Sequence, residues 1–208
     1  MRLLLIRHAQ SIANAEGRLQ GQFDSPLSDE GRAQARALAG RLRREDWQVA
    51  AVYASDLSRA AETAEILGRA LGLPVVLDPR LREYDAGVLN GLTWPQIEDH
   101  YPELWRELQH SREWVPIPGE EGNEGFRDRV AAALDDLQDA HGDGETAAIV
   151  SHGGTLSMLL LHLLGLDRGR ASPFSFGNTS LSIVEFRARG PVIRLLNDMC
   201  HLLTLMGE

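Results

Sequence analysis

The chain has 208 residues, one cysteine and a formal charge of −9, with 43% apolar and 25% charged residues. This is a globular composition of one-domain length; it excludes a disordered chain and a disulfide framework, and the acidic balance argues against nucleic-acid or anionic-membrane binding. All 21 Lys-or-Arg positions are Arg, so lysine Schiff-base chemistry is excluded and an anion must be held by Arg, His or backbone amides.

In chain order, Leu3 to Ile6 reads as a short apolar strand; Arg7 and His8 interrupt it too early for a signal peptide. A loop follows, then a helix capped by Ser28, with Ala35, Leu38 and Leu42 facing inward. Ala50 to Tyr53 is a second strand. Ser55 is expected to cap the next helix, whose stripe is Leu57, Ala61, Ala64, Leu67 and Leu71, ended by Gly72 and Pro74. Val75 to Leu77 is a third strand. Residues 79 to 122 hold five of the nine prolines and three of the four tryptophans. They read as a cap-like insertion in a single 1–208 domain, with short helices starting near Trp94 and Pro102. A long helix from Asn123 presents Phe126, Val130, Leu134 and Leu137. Ala147 to Val150 is a fourth strand, and Gly153-Gly154 opens an apolar helix stopped by Gly165. Leu181 to Phe186 and Val192 to Leu196 form a closing strand pair that turns at Gly190-Pro191. No apolar run is long enough to span a membrane, so the expected location is cytoplasmic.

The informative residues follow the strands: Arg7-His8, Ser55 through Arg59, Arg82-Glu83 and Ser151-His152-Gly153-Gly154. Strands alternating with helices imply a mostly parallel sheet, and such sheets bind ligands beyond their carboxyl ends. Two or three Arg, two His and one Glu in one crevice suit a phosphate. Arg forks hold its oxygens, and the helix opened by Gly153 offers amides and the positive end of its dipole. One neutral imidazole can attack phosphorus, a second can bind phosphoryl oxygens, and a protonated carboxyl can protonate the leaving oxygen. No metal or other cofactor is required. His100, His110 and His141 read as exposed, and His162, in an apolar helix, as a core residue. Trp94, Trp105 and Trp114 read as packing beneath the insertion, and Asp135-Asp136 as a solvated helix face.

Taken together, the sequence resembles the histidine phosphatase superfamily, also called phosphoglycerate mutase-like. The resemblance lies in Leu4-Leu5-Ile6-Arg7-His8-Ala9-Gln10-Ser11 with Asn14, Gln20-Gly21 and Pro26-Leu27-Ser28. It continues in Tyr53-Ala54-Ser55-Asp56-Leu57-Ser58-Arg59, Leu81-Arg82-Glu83 and Val150-Ser151-His152-Gly153-Gly154, and in Gly177-Asn178-Thr179-Ser180 with Asn197-Asp198 and His201. It implies a three-layer α/β/α sandwich. It also implies that His8 is a phosphorylated nucleophile, that Arg7, Arg59, His152, Asn14 and Gln20 form the phosphate pocket, and that Glu83 is the proton donor.

Two positions depart from the family pattern. Ala9 replaces a glycine, which is tolerable if φ there is not positive. Pro118-Gly119-Glu120-Glu121-Gly122 replaces Pro-Gly-Gly-Glu-Ser and is expected to add negative charge at the entrance. The expected function is a metal-independent, histidine acid-type phosphomonoesterase acting on a small phosphate ester, with a homodimer as one open assembly. The alternatives are a cofactor-dependent phosphoglycerate mutase, disfavoured by Gly91-Leu92-Thr93-Trp94 and the absence of lysine, a metal hydrolase using His8, His152 and Glu83, and a non-catalytic phospho-ligand binder.

Overall fold

The structure is a computed structural model that describes residues 1–111, 115–166 and 172–205. Trp114 lies outside the described residues. In chain order the elements are β1 (Arg2–Arg7), α1 (Ile12–Ala15), β2 (Arg18–Leu19), α2 (Asp29–Glu45), β3 (Val49–Ala54), α3 (Ser58–Leu71) and β4 (Val75–Leu77). There follow β5 (Leu92–Thr93), α4 (Trp94–His100), α5 (Pro102–His110), α6 (Asn123–Ala140), β6 (Thr146–Ser151), α7 (Gly153–Leu163), β7 (Leu181–Arg187) and β8 (Gly190–Asp198). Among the described residues the main sheet runs β4-β3-β6-β1-β7-β8, and β2 pairs with β5 in a separate ribbon. Strands β4, β3, β6 and β1 are parallel, and β7 and β8 are antiparallel.

Strand β1 is buried on both faces, so it reads as a continuous apolar run rather than an alternating one. Its side chains still alternate between two cores. Leu3 and Leu5 join Phe126, Val130 and Leu134 of α6 and Leu156 and Leu159 of α7. Leu4 and Ile6 join Leu38 and Leu42 of α2 and Ala60, Ala64 and Leu67 of α3. Each fully buried leucine contributes about 1.5–3 kcal/mol, and two such layers make the three-layer α/β/α sandwich. Leu81, Tyr84, Ala86, Leu89 and Ile97 from the proline-rich segment belong to the α6–α7 core.

Several local expectations are corrected. Ser28 does cap α2, accepting from the Gly31 amide, but Ser55 does not cap α3. That helix starts after Leu57 without a side-chain cap. The Ser55 hydroxyl instead accepts from the Leu57 amide and meets His152. The buried face of α3 is Arg59, Ala60, Thr63, Ala64, Leu67 and Gly68, rotated from the predicted stripe because Arg59 turns inward. The closing hairpin turns at residues 188–189, not at Gly190-Pro191, which begin β8. Pro191 is tolerated there because β8 is an edge strand.

The histidines also sort differently. His162 is exposed, because the last turn of α7 runs past the core. His141 is half-buried, bonded to the Tyr53 hydroxyl at 3.0 Å and to Glu145 at 3.1 Å. Trp94 is 49% exposed and stacks beside Trp105, which packs on the core. Asp135 and Asp136 are exposed as expected.

Candidate active site

Parallel register brings the carboxyl ends of the central strands level: Arg7 lies opposite Ser151, and Ala54 opposite Val150. The residues just past them therefore converge. A cleft of about 300 Å³ is lined by Arg7, His8, Asn14, Gln20, Arg59 and Glu83, with Arg18, Leu19, Gly21, Tyr84, Ala86 and Gly154. The walls thus come from five separate stretches of chain.

His8 is buried, and its Nδ1 lies 2.7 Å from the Ala9 carbonyl. A carbonyl only accepts, so Nδ1 carries the proton and Nε2 keeps its lone pair. Burial, with the Arg59 and Arg7 charges adding to it, holds this imidazole well below the ordinary value. The ring is therefore neutral at physiological pH. Ala9 has no positive φ, and its amide donates to the Thr63 hydroxyl at 3.0 Å, so the extra methyl group is accommodated.

Arg59 is 1% exposed. It donates from Nε to His152 Nδ1 at 3.2 Å and from its terminal nitrogens to the carbonyls of Phe23 and Gly21. The fork is anchored, and each terminal nitrogen keeps one N–H unpaired among the described residues. Burial lowers this guanidinium to about 10, against the opposing pull of Glu83 and Asp24, so it stays cationic. Arg7 donates to the Phe176 carbonyl, and its buried Nε has no partner among the described residues.

His152 lies beside His8, their ring centroids 5.0 Å apart, while the atoms lining the cleft come from Gly154 rather than from Gly153 or His152. Nδ1 accepts from Arg59, so the proton sits on Nε2 and is donated to the Ser55 hydroxyl at 2.9 Å. Burial, then the Arg59 charge, keeps this ring neutral too. Both nitrogens are engaged by protein groups, Nδ1 by the Arg59 fork and Nε2 by Ser55.

The amino end of α7 is also used otherwise than expected. Its amides do not face the cleft as an open anion site. Glu83 fills it, accepting from the Gly154 amide at 2.9 Å and the Thr155 amide at 3.1 Å. A Cβ on Gly154 would lie 2.4 Å from Glu83 Oε1, which explains the glycine at this close approach. Oε1 also accepts from the Tyr84 amide, whereas among the described residues Oε2 accepts only from Gly154. The second lone pair of Oε2 is therefore where a transferable proton fits.

Asn14 closes the capping box of α1 and is bonded to Asn178; its Oδ1 accepts from the Ser11 amide and from Asn178 Nδ2 at 3.2 Å each. Its own Nδ2 is thereby turned away from those donors. Gln20 accepts from the Ser11 hydroxyl at 2.7 Å. Arg82 is not in the cleft; it forms a bidentate pair with Asp56 at 2.7 and 2.6 Å. Of the two expected entrance charges, only Glu121 has a cationic partner among the described residues. Glu120 accepts from the Tyr84 hydroxyl, and Glu121 pairs with Arg129.

Four lining residues escaped the sequence reading: Arg18, Leu19, Tyr84 and Ala86. Arg18 follows a glycine turn rather than a main-sheet strand, and it is set by bonds to Glu16 and the Gly91 carbonyl. Only the β2–β5 ribbon, which pairs Arg18 with Thr93 across 75 residues, carries that information.

Residues 3–199 match the family described as the histidine phosphatase superfamily, branch 1, and the chain belongs to that family. A probable phosphoglycerate mutase of Enterobacter sp. is 36% identical, covering 97% of this chain and 95% of the relative. A metal-independent phosphoserine phosphatase of Arabidopsis thaliana is 35% identical over 96% of this chain and 82% of its own. Among solved structures, an alpha-ribazole phosphatase from Shigella flexneri superposes with a TM-score of 0.84 at 28% identity, covering 96% of this chain and 97% of that one.

Proposed function

We propose that this protein is a metal-independent, acid-type phosphomonoesterase that passes through a phosphohistidine at His8 and acts on a small phosphate ester. The observation that carries it is the neutral His8 with its Nε2 lone pair, set beside the Arg7 and Arg59 forks in one cleft. Phosphatase names among the relatives support it.

In this reading Arg7 and Arg59 hold the phosphoryl oxygens, and Asn14 and Gln20 add contacts. His8 Nε2 attacks phosphorus, the P–O bond to the alcohol breaks, and Glu83 gives its proton to the departing oxygen. A water then attacks the phosphohistidine, Glu83 takes a proton from it, and inorganic phosphate leaves. The cations neutralise charge that grows on the transferring group. The lowered His8 value keeps the nucleophile free of protons in mild acid, which supports the acid-type reading. Residues 79–122 act as a cap, with Glu83, Tyr84 and Ala86 on the cleft wall.

The metal-hydrolase alternative asks His8, His152 and Glu83 to be ligands. His8 Nδ1, both His152 nitrogens and both Glu83 oxygens are instead engaged by protein groups. Activity is accordingly expected to survive chelators.

The test is acid- and alkali-quenched turnover with labelled substrate. The chain should carry phosphate that is labile in acid and stable in alkali, and His8→Ala should lose both the label and turnover. A labelled, active His8→Ala protein would end this reading. The mutase alternative, kept open by the Enterobacter relative, is read in the same assay as transfer of the label to phosphoglycerate rather than to water.

A further inference from the structure

Outside the cleft, one side chain has a bonding pattern that the phosphate-binding residues do not account for. Arg129 lies on α6, on the α6–α7 side of the sheet, and does not line the cleft. All its N–H groups are committed. Its Nη1 donates to the carbonyls of Arg80 and Arg82 at 2.7 Å each. Its Nη2 donates to the carbonyl of Glu83 at 2.9 Å and to Glu121 at 2.7 Å, and Nε donates to the other Glu121 oxygen at 2.7 Å. Glu121 in turn accepts from the Asp85 amide at 2.8 Å. The guanidinium lies over the Phe126 ring at 4.7 Å, which fixes its plane.

Resting on the reading of Glu83 as the leaving-group acid, we infer that Arg129, locked by Glu121, is a positioning residue that sets where the Glu83 carboxyl sits. The segment from Arg80 to Asp85 has no strand pairing of its own. Its carbonyls are met by the Ser151 and Thr155 hydroxyls, by Gln22 and by this fork from α6, and the fork alone among these spans three of them, while the Glu83 carboxyl is held by the amides of α7. Two helices thereby clamp one residue, one by its carbonyl and one by its side chain. A merely structural arginine would need bonds to the segment at any of its carbonyls. Here they run through Arg80, Arg82 and Glu83, so the fork fixes Glu83 and the residues leading into it, where a shift transfers directly to the acid. It also explains Glu121: a bidentate carboxylate keeps the fork flat and turned toward these carbonyls.

Arg129→Lys tests this, because it keeps the charge but loses the planar fork. An alkyl phosphate needs the proton from Glu83, since an alkoxide leaves badly. Its kcat/KM is expected to fall about 10–100-fold, the scale on which small misplacements of catalytic groups act. Nitrophenyl phosphate has a stable leaving anion, and its kcat/KM should change by less than about 3-fold. In a Glu83→Gln background, Arg129→Lys should add no further alkyl-selective loss, because coupled residues are not additive. Equal losses for both substrates, or lost thermal stability with both kcat/KM values kept, overturns the inference. Glu121→Gln loosens the same fork while leaving Arg129 in place; it is judged by the same substrate ratio and decides the matter if Arg129→Lys does not fold. Glu83→Gln separates the two levels. If it fails to discriminate between the substrates, the acid assignment is wrong and this inference falls with it. If it discriminates while Arg129→Lys and Glu121→Gln do not, the positioning role alone is wrong.

Discussion

His8 and Glu83 face the same cleft under opposite constraints. In the proposed reaction His8 must lack a proton on Nε2; burial first, then the two arginines, disfavours the imidazolium, and Nδ1 is tied to the Ala9 carbonyl. The same reading asks Glu83 to bring a proton, and Oε2 has a lone pair for it. In Glu83→Gln, kcat/KM for an alkyl phosphate should fall about 10²–10⁴-fold, the usual contribution of general acid catalysis. With nitrophenyl phosphate, kcat/KM should be spared while a burst shows slow dephosphorylation. Similar kcat/KM losses for the two esters would move Glu83 to a structural role. Arg59→Lys keeps the charge but cannot reach Phe23, Gly21 and His152 together. A loss of about 10²-fold in kcat/KM with folding intact is expected, on the scale of removing one preorganised donor. Unchanged kcat/KM would show that Arg59 serves only the fold.

The first turn of α7 is the element whose sequence and position depend most on each other. His152, Gly153 and Gly154 follow a fully buried strand, so the helix must open beneath the cleft. Its two free amides would ordinarily attract an anion. Here both are taken by the carboxyl of the protein's own Glu83. Gly154→Ala puts a methyl group at 2.4 Å from Glu83 Oε1, so the carboxyl must shift. The helix itself gains propensity, by about 1 kcal/mol for a glycine-to-alanine change. We therefore expect a variant with kept or raised thermal stability and an alkyl-phosphate kcat/KM reduced at least 10-fold, about 1.4 kcal/mol in the barrier. A fall in melting temperature with full activity would contradict it.

For the molecule as a whole, three histidines are folded in a state that resists protonation. His8 and His152 lie well below the ordinary imidazole value, and His201 is brought to about 4 by burial and then by the Arg41 charge. In the unfolded chain each takes a proton below about pH 6.5. Between there and the folded values, the unfolded state binds more protons, so stability falls as pH drops. It is fully present above about pH 6.5, and for His201 the loss is complete near pH 4. The urea midpoint should therefore be clearly lower at pH 5 than at pH 7.5. The same midpoint at both would mean that these rings are not buried neutral in solution. Asp56, lowered by its Arg82 hydrogen bonds, and Asp198, lowered against burial by hydrogen bonds from Cys200 and then Arg41, add to the loss only at still lower pH.

What the sequence by itself determined is what lies next in line along the chain. The strands, the α2 cap at Ser28, the α6 stripe and the turn at Gly72 follow from periodicity and local bonding, and so does the placing of His8 and His152 just past buried strands. Register then brings those strand ends level without further choice. What only the tertiary structure decided is which partner takes each polar group. Glu83 and Gly154 are 71 residues apart, so the occupation of the α7 amides could not be read from Gly153-Gly154 alone. The partners of the two His152 nitrogens, Arg59 and Ser55, are 93 and 97 residues away and equally unreadable from its own motif. His162 shares an apolar helix with buried residues, yet faces outward because the helix outruns the core. Arg18 and Arg129 carry no local signal, since a solvated arginine and an anchoring one look alike until the fold brings carbonyls and carboxylates within reach. Helices and strands are set by neighbours a few residues away, whereas a buried donor must find whatever acceptor the packed chain supplies.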